Sequence, residues 1–145
     1  METGNFKKTF REHVKETSYL SYNEEDYLEA IYNLIQDNRP LTNKELADYL
    51  NISRPSVTHM INRLQKKEIL IKHENIIYLS ESGLKMGAFL AERHKETERF
   101  LSLLGMRDNK IEKAEKLEHV IDNDLLEKIK KLNDFLENSD YELSM

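Results

Sequence analysis

The chain has 145 residues, no cysteine and a formal net charge of −5, with 39% apolar and 34% charged residues. That length suits one domain of ordinary size or two small lobes sharing a core, and the balance describes a soluble, helix-rich protein rather than a disordered or fibrous one. Without cysteine there are no disulfides or thiolate ligands, so a metal site must use oxygen and imidazole, while the acidic balance argues against indiscriminate nucleic-acid binding and leaves room for a locally basic reading head.

No apolar run approaches the length of a membrane span, and Met1 to Tyr19 has no signal-peptide core, so the expected compartment is the cytoplasm. Residues 1–20 mix charge with Phe6, Phe10, Val14 and Leu20 and read as an N-terminal arm of helical pattern. Ser21-Tyr22-Asn23-Glu24 is a capping box, in which the hydroxyl and the carboxylate satisfy orphan amides of a starting helix. Tyr27, Ala30, Ile31, Leu34 and Ile35 then recur at helical spacing to about Gln36, where Asp37-Asn38-Arg39-Pro40 breaks the run.

Thr42-Asn43-Lys44-Glu45 is a second capping box, with Leu41 and Leu46 as its hydrophobic staple. The short helix buries Leu46, Ala47 and Leu50 and ends at Asn51, which tolerates the left-handed conformation. Ser53 caps the next helix, and Pro55 is allowed in a first turn. There Val57, Ile61 and Leu64 face inward, while Arg54, Thr58, His59, Asn62 and Gln65 face out. Ile69 to Lys72 and Ile76 to Leu79 are β-rich around His73-Glu74-Asn75, a hairpin signal. A helix-turn-helix followed by a hairpin is a winged helix.

From Ser80 a long helix runs to about Leu104 and stops at Gly105, with Leu90, His94, Thr97 and Leu101 on its buried line. Asn109 to about Ile121 forms another helix and Asp124 to Glu137 a last one, with Leu125, Ile129, Leu132 and Leu136 apolar; the tail from Asn138 reads as frayed. The expected fold is therefore mainly α. It has an arm (1–20), a winged helix-turn-helix DNA-binding domain with a small β-hairpin wing (21–80), and an all-helical metal-binding and dimerisation domain (81–145).

The second helix of the helix-turn-helix brings Arg54, Arg63, Lys66, Lys67 and Lys72 against Glu68, the local positive charge that phosphate neutralisation needs. The DNA-facing set is Arg54, Pro55, Ser56, Thr58, His59, Asn62, Arg63 and Lys66, and its polar side chains suit base edges in a major groove. The alternative is a winged helix used for protein contacts, its basic residues merely solvated.

Candidate metal ligands come from three helices. Glu115, Glu118 and His119 stand at i, i+3 and i+4 on one side of a turn whose line includes Ile111 and Ala114, so they continue an apolar stripe toward a core. Ionisable groups turned inward cost several kcal/mol unless something compensates them, and a divalent cation is one compensator. The bland reading is a solvated face. Asp26 and Glu29 stand at i, i+3 near a helix start, where acidic residues favour the dipole anyway. His94 on a buried line reads alone as a hydrogen-bonded core histidine. Together the three supply four carboxylates and two imidazoles, enough for two divalent ions with shared carboxylates.

Asn23-Glu-Glu-Asp-Tyr-Leu-Glu-Ala-Ile-Tyr32, Ser53-Arg-Pro-Ser-Val-Thr58, Leu79-Ser-Glu-Ser-Gly83, Arg93-His94 and Leu117-Glu-His119 resemble the diphtheria toxin repressor family of metalloregulators, in order from about Ser21 to Leu136. The resemblance implies metal ligation by Asp26, Glu29, His94, Glu115, Glu118 and His119. The family's iron-sensing branch has Met where Asp26 stands and Cys where Glu115 stands; carboxylates at both resemble the manganese-sensing branch, and an oxygen-rich site suits Mn²⁺, the weakest binder of its series. The sequence carries nothing like the SH3-like third domain of the iron branch. Where that branch has its ancillary-site His this chain has Ile111, so no separate ancillary site on His94 and Glu98 is implied.

The resemblance implies a Mn²⁺-responsive transcriptional regulator, a repressor of metal-uptake genes. It would hold two Mn²⁺ per subunit, with Fe²⁺ or another divalent ion as a substitute, and bind palindromic double-stranded operator DNA as a metal-loaded homodimer. No membrane partner or organic cofactor is expected. A di-metal enzyme would want a Glu-x-x-His pair on each of two helices, and neither His94 nor His119 has Glu three residues before it. No zincin motif, phosphate loop or dinucleotide turn is present either, so no enzyme is expected. The alternative is a metal-independent MarR-like winged-helix regulator with an organic effector.

Overall fold

The computed structural model describes residues 20–139, so the N-terminal arm, apart from Leu20, lies outside the described residues. The described chain forms α1 (Tyr22–Ile35), α2 (Asn43–Leu50), α3 (Arg54–Lys66), β1 (Leu70–His73), β2 (Ile76–Leu79), α4 (Glu81–Leu103), α5 (Lys110–Glu118) and α6 (Asn123–Glu137). This is the expected order, a winged helix followed by helices alone.

Local signals explain most boundaries. Thr42 and Glu45 close a reciprocal capping box at the start of α2, and Asn51 ends that helix in the left-handed conformation at φ 54°, ψ 48°. Ser53 caps α3 by accepting from the Ser56 amide, with Pro55 in the first turn. The wing is a two-residue hairpin in which Glu74 and Asn75 both take positive φ, as the tight turn that matches strand twist requires. Ile71 pairs with Tyr78 and His73 with Ile76. The Ile77 amide donates to the Leu41 carbonyl at 2.8 Å, which seals β2 against the segment leading into α2.

One core fills the reading lobe. Leu28 and Ile31 of α1, Leu46 of α2, and Val57, Ile61 and Leu64 of α3 are fully buried with Ile69 and Ile77. Each such side chain contributes roughly 1.5–3 kcal/mol by leaving water. Leu90 of α4 belongs to the same cluster. Helix α4 starts on the wing: Ser80 accepts from the Gly83 amide at 3.0 Å and its own amide donates to the Ile69 carbonyl at 3.0 Å. A Cβ on Gly83 would lie 2.2 Å from that carbonyl oxygen, so only glycine lets the helix sit this close.

Three expectations need correction, and α6 buries a line that the sequence reading did not assign. At α1 the Ser21 hydroxyl caps the Glu24 amide, but the Glu24 carboxylate does not return to the Ser21 backbone; it turns to Arg63 and Lys67. On α5, Ala114 is buried whereas Ile111 is 61% exposed. That helix ends at Glu118 rather than near Ile121, because the amides of Val120 and Ile121 bond three residues back, to Leu117 and Glu118, and tighten the last turn. On α6 the buried line is Leu126 and Asn133, while Leu125, Leu132 and Phe135 are exposed. Asn133 is tolerated inside because its amide donates to the Glu96 carbonyl at 3.0 Å and to the Glu96 carboxylate at 2.9 Å.

Candidate metal centre and DNA-reading face

Helices α1, α4 and α5 converge at one place. Glu118 Oε2 lies 2.7 Å from His94 Nδ1, the same nitrogen lies 3.8 Å from Glu29 Oε1, and His119 Nε2 lies 3.2 Å from Asp26 Oδ1. Two triads result, Asp26–Glu118–His119 and Glu29–His94–Glu118, each with its three donor atoms within 4.8 Å of one another. Glu118 is common to both and only 1% exposed. Five of the six expected residues are thereby brought together.

The sixth, Glu115, is exposed and belongs to neither triad; it lines an open hollow with Arg107, Lys110 and Ile111. It stands one helical turn back from the turn that faces α1. Its charge still reaches Asp26, where burial first and then the carboxylates of Glu118, Glu25 and Glu115 push the acid up. Glu98, which the absence of an ancillary-site His had set aside, lies 3.2 Å from His94 Nε2, so this imidazole has carboxylates on both nitrogens.

The electrostatics are those of a place short of positive charge. Burial, reinforced by the Glu118 charge, lifts Glu29 to about 7. The hydrogen bond to Glu118 lifts His94 to about 9, against the opposing effect of desolvation and with help from the charges of Glu118, Glu29 and Glu98. Protons on these two groups relieve repulsion that a divalent cation would otherwise relieve. The donor set of carboxylates and imidazoles, with one carboxylate shared, fits a pair of such ions.

Sequence reasoning gave no role to Glu25, which sits inside the quoted motif beside Asp26. Its Oε2 accepts from buried Arg93 at 2.6 Å and faces His119 Nδ1 at 2.9 Å. Glu25 can hold a hydrogen on Nδ1, and Nε2 is the nitrogen turned to Asp26. Tyr22 stacks on the same ring, with centroids 4.5 Å apart at 18°. The available signal was general: a ligating histidine needs a partner for its other nitrogen, and Glu25 is the acid one residue from Asp26.

On the reading lobe, Arg54, Pro55, Ser56, Thr58, His59, Asn62, Arg63 and Lys66 are all exposed along α3. Asn43 of α2 donates to the Thr58 hydroxyl at 3.3 Å and braces the two helices. The face is less basic than the residue count suggested, because Glu24 pairs with both Arg63 and Lys67.

A family model for the iron dependent repressor N-terminal DNA binding domain matches residues 19–75, and one for the iron dependent repressor metal binding and dimerisation domain matches residues 80–144. The HTH-type transcriptional regulator MntR of Bacillus pumilus (strain SAFR-032) is 36% identical over 119 residues, 80% of this chain and 82% of the relative. Its counterpart in Bacillus subtilis (strain 168) is 34% identical over 119 residues, 80% and 83% of the respective chains. The apo crystal structure of the manganese-activated repressor ScaR superposes with a TM-score of 0.63 at 36% identity, over 76% of this chain and 54% of that one, so this chain spans about half its length. The metal-independent MarR-like alternative gains nothing from these matches. No described helix is long and apolar enough to cross a membrane.

Proposed function

We propose, from the premise that the chain belongs to the iron-dependent repressor family, that it is a Mn²⁺-responsive repressor of metal-uptake genes that binds palindromic operator DNA as a homodimer. The observation that carries this reading is Glu118, one buried carboxylate shared by two ligand triads drawn from α1, α4 and α5. Asp26, Glu29, His94, Glu118 and His119 would hold two divalent ions, with Glu115 completing the shell from its exposed turn. A bound cation supplies the positive charge that the gathered carboxylates lack. Fe²⁺ is the natural competitor; an all oxygen-and-imidazole donor set accommodates Mn²⁺, and because such donors bind Fe²⁺ at least as tightly, selection between the two rests on site geometry and metal supply.

The residues themselves do the rest. Asp26 and Glu29 ride on α1, whose other side packs into the reading lobe through Leu28 and Ile31. His94, Glu118 and His119 belong to the helical part that also presents the exposed apolar side chains Val120, Leu125, Leu132 and Phe135. We assign that apolar face to the second subunit, consistent with the dimerisation domain matched there. Drawing α1 toward α4 and α5 fixes the reading lobe relative to the dimer, so the two α3 helices settle about 34 Å apart, one DNA turn. Differential metal affinity of about 1–3 kcal/mol between the competent state and the others is enough for such coupling. In this picture the domains are 21–80 for reading and 81–145 for metal and dimer contacts, in the cytoplasm.

The test is elemental analysis of the purified protein followed by binding to a selected palindromic duplex with and without Mn²⁺. Tight binding only with metal is expected; binding indifferent to Mn²⁺ and Fe²⁺ alike would refute the proposal.

A further inference from the structure

Glu24 is 1% exposed, yet both of its carboxylate oxygens are engaged by cations of the reading helix. Arg63 Nη2 donates to Oε1 at 2.7 Å and Lys67 Nζ donates to Oε2 at 2.6 Å, with the Ser21 hydroxyl adding a bond at 3.2 Å. Arg63, in the last turn of α3, and Lys67, its C-cap, stand at i, i+4, and their side chains remain 46% and 31% exposed. Among the described residues, Arg54, Lys66 and Lys72 make no ion pair. The basic face is therefore divided into cations committed to a buried acid and cations that are not.

We infer that Glu24 limits the electrostatic part of DNA binding by the reading lobe, holding Arg63 and Lys67 off DNA phosphates so that sequence-independent binding stays weak. The inference rests on the DNA-reading role proposed above. Its physical basis is the stranded partner: a cation that left Glu24 for a phosphate would leave a desolvated carboxylate short of compensation. Non-specific affinity is almost wholly the release of counterions by phosphate contacts, whereas specific binding also draws on base edges. Withholding two cations per subunit thus lowers the sequence-independent phosphate contribution, which is nearly the whole affinity for non-cognate DNA. The carboxylate also approaches α3 from the helix that carries Asp26 and Glu29, so the restraint is built into the metal-bearing element.

The test is fluorescence anisotropy of the Mn²⁺-loaded protein on a palindromic duplex selected with the wild type and on a scrambled duplex, titrated with KCl. For Glu24→Gln on the scrambled duplex the salt slope should steepen by about 0.9 for each phosphate contact released. The affinity gain over wild type should be about threefold larger at 50 mM than at 200 mM salt for each contact. A Glu24→Gln protein that melts cooperatively and shows the wild-type slope overturns the inference. Should that variant not fold, Glu24→Asp decides: the shorter carboxylate keeps its charge but loses reach to Arg63 and Lys67, so the slope is expected to steepen in the same sense, and a wild-type slope overturns the inference. A wild type that binds neither duplex would instead remove the DNA-reading role itself, and the inference with it.

Discussion

Raising the pH should tighten Mn²⁺ binding, with a slope set by two protons. His94 titrates at about 9 because Glu118 holds its imidazolium, and Glu29 at about 7 because burial and Glu118 disfavour its charge. Both must be deprotonated to ligate. At pH 7 the protonated imidazole outweighs the neutral one by about 100 to 1, which costs about two decades of affinity, and a half-protonated Glu29 costs about a further factor of two. The logarithm of the association constant should climb by about two per pH unit below 7 and by about one between 7 and 9. Calorimetric titration with Mn²⁺ at pH 6 and pH 8, in buffers of different ionisation enthalpy, counts the released protons directly: about two at the lower pH and about one at the higher. Affinity that is flat over this interval, with no proton release, would refute the assignment of His94 and Glu29. The metal-free protein should move oppositely. The folded pKa of His94 lies above its ordinary 6.5, so its stabilisation is full below that value and is lost as the pH climbs to about 9. Glu29, raised from 4.5 to about 7, adds a penalty as it ionises over that lower window. Metal-free protein should therefore melt at a lower temperature at pH 8 than at pH 6, and Mn²⁺ should raise the melting point more at pH 8.

Three further outcomes are expected. Glu118→Gln removes the carboxylate common to both triads, and Mn²⁺ affinity measured by calorimetry should fall by more than the roughly 10–100-fold typical of an outer-shell partner; an unchanged constant would remove the shared-ligand assignment. Glu25→Gln leaves every direct donor in place but loosens His119, so the same titration should show a loss within that range, and wild-type affinity would show that the Glu25 contact does not orient the ring. Arg54→Ala should weaken operator binding by about 1–3 kcal/mol at every Mn²⁺ concentration if it meets a base edge; an effect confined to low metal would contradict a direct contact.

What was legible in the sequence was local. The Thr42–Glu45 box, the left-handed Asn51 and Pro55 in a first turn each depend on a few neighbouring residues, and each is found where the pattern put it; of the expected His73-Glu74-Asn75 turn, His73 belongs to β1 and only Glu74 and Asn75 turn. The convergence of Asp26, Glu29, His94, Glu118 and His119 was reachable through the family resemblance, because helical spacing by itself left a solvated face, a dipole-favoured helix start and a core histidine open as alternatives. What stayed hidden depends on distant partners. Nothing near Glu24 announces Arg63 and Lys67, 39 and 43 residues away, so a capping role was the natural assignment. Helix α6 carries two apolar lines, and periodicity alone did not reveal that the line through Asn133 is the buried one, since that depends on Glu96 across the interface. Helical spacing put Glu115 beside Glu118 but gave no account of which turn of α5 meets α1.

Ser80 ends the wing and caps α4 in the same residue, and Gly83 then presses that helix onto Ile69. The chain thus passes from the winged helix into a rod of 23 residues, about 35 Å of continuous helix, with no spacer between them. A protease has no slack segment to nick at this junction, and an engineer has no tether to cut when exchanging one reading head for another. A chimera would have to be joined within α4 in register, because each residue added or removed rotates everything downstream by about 100° and carries His94 away from Glu118.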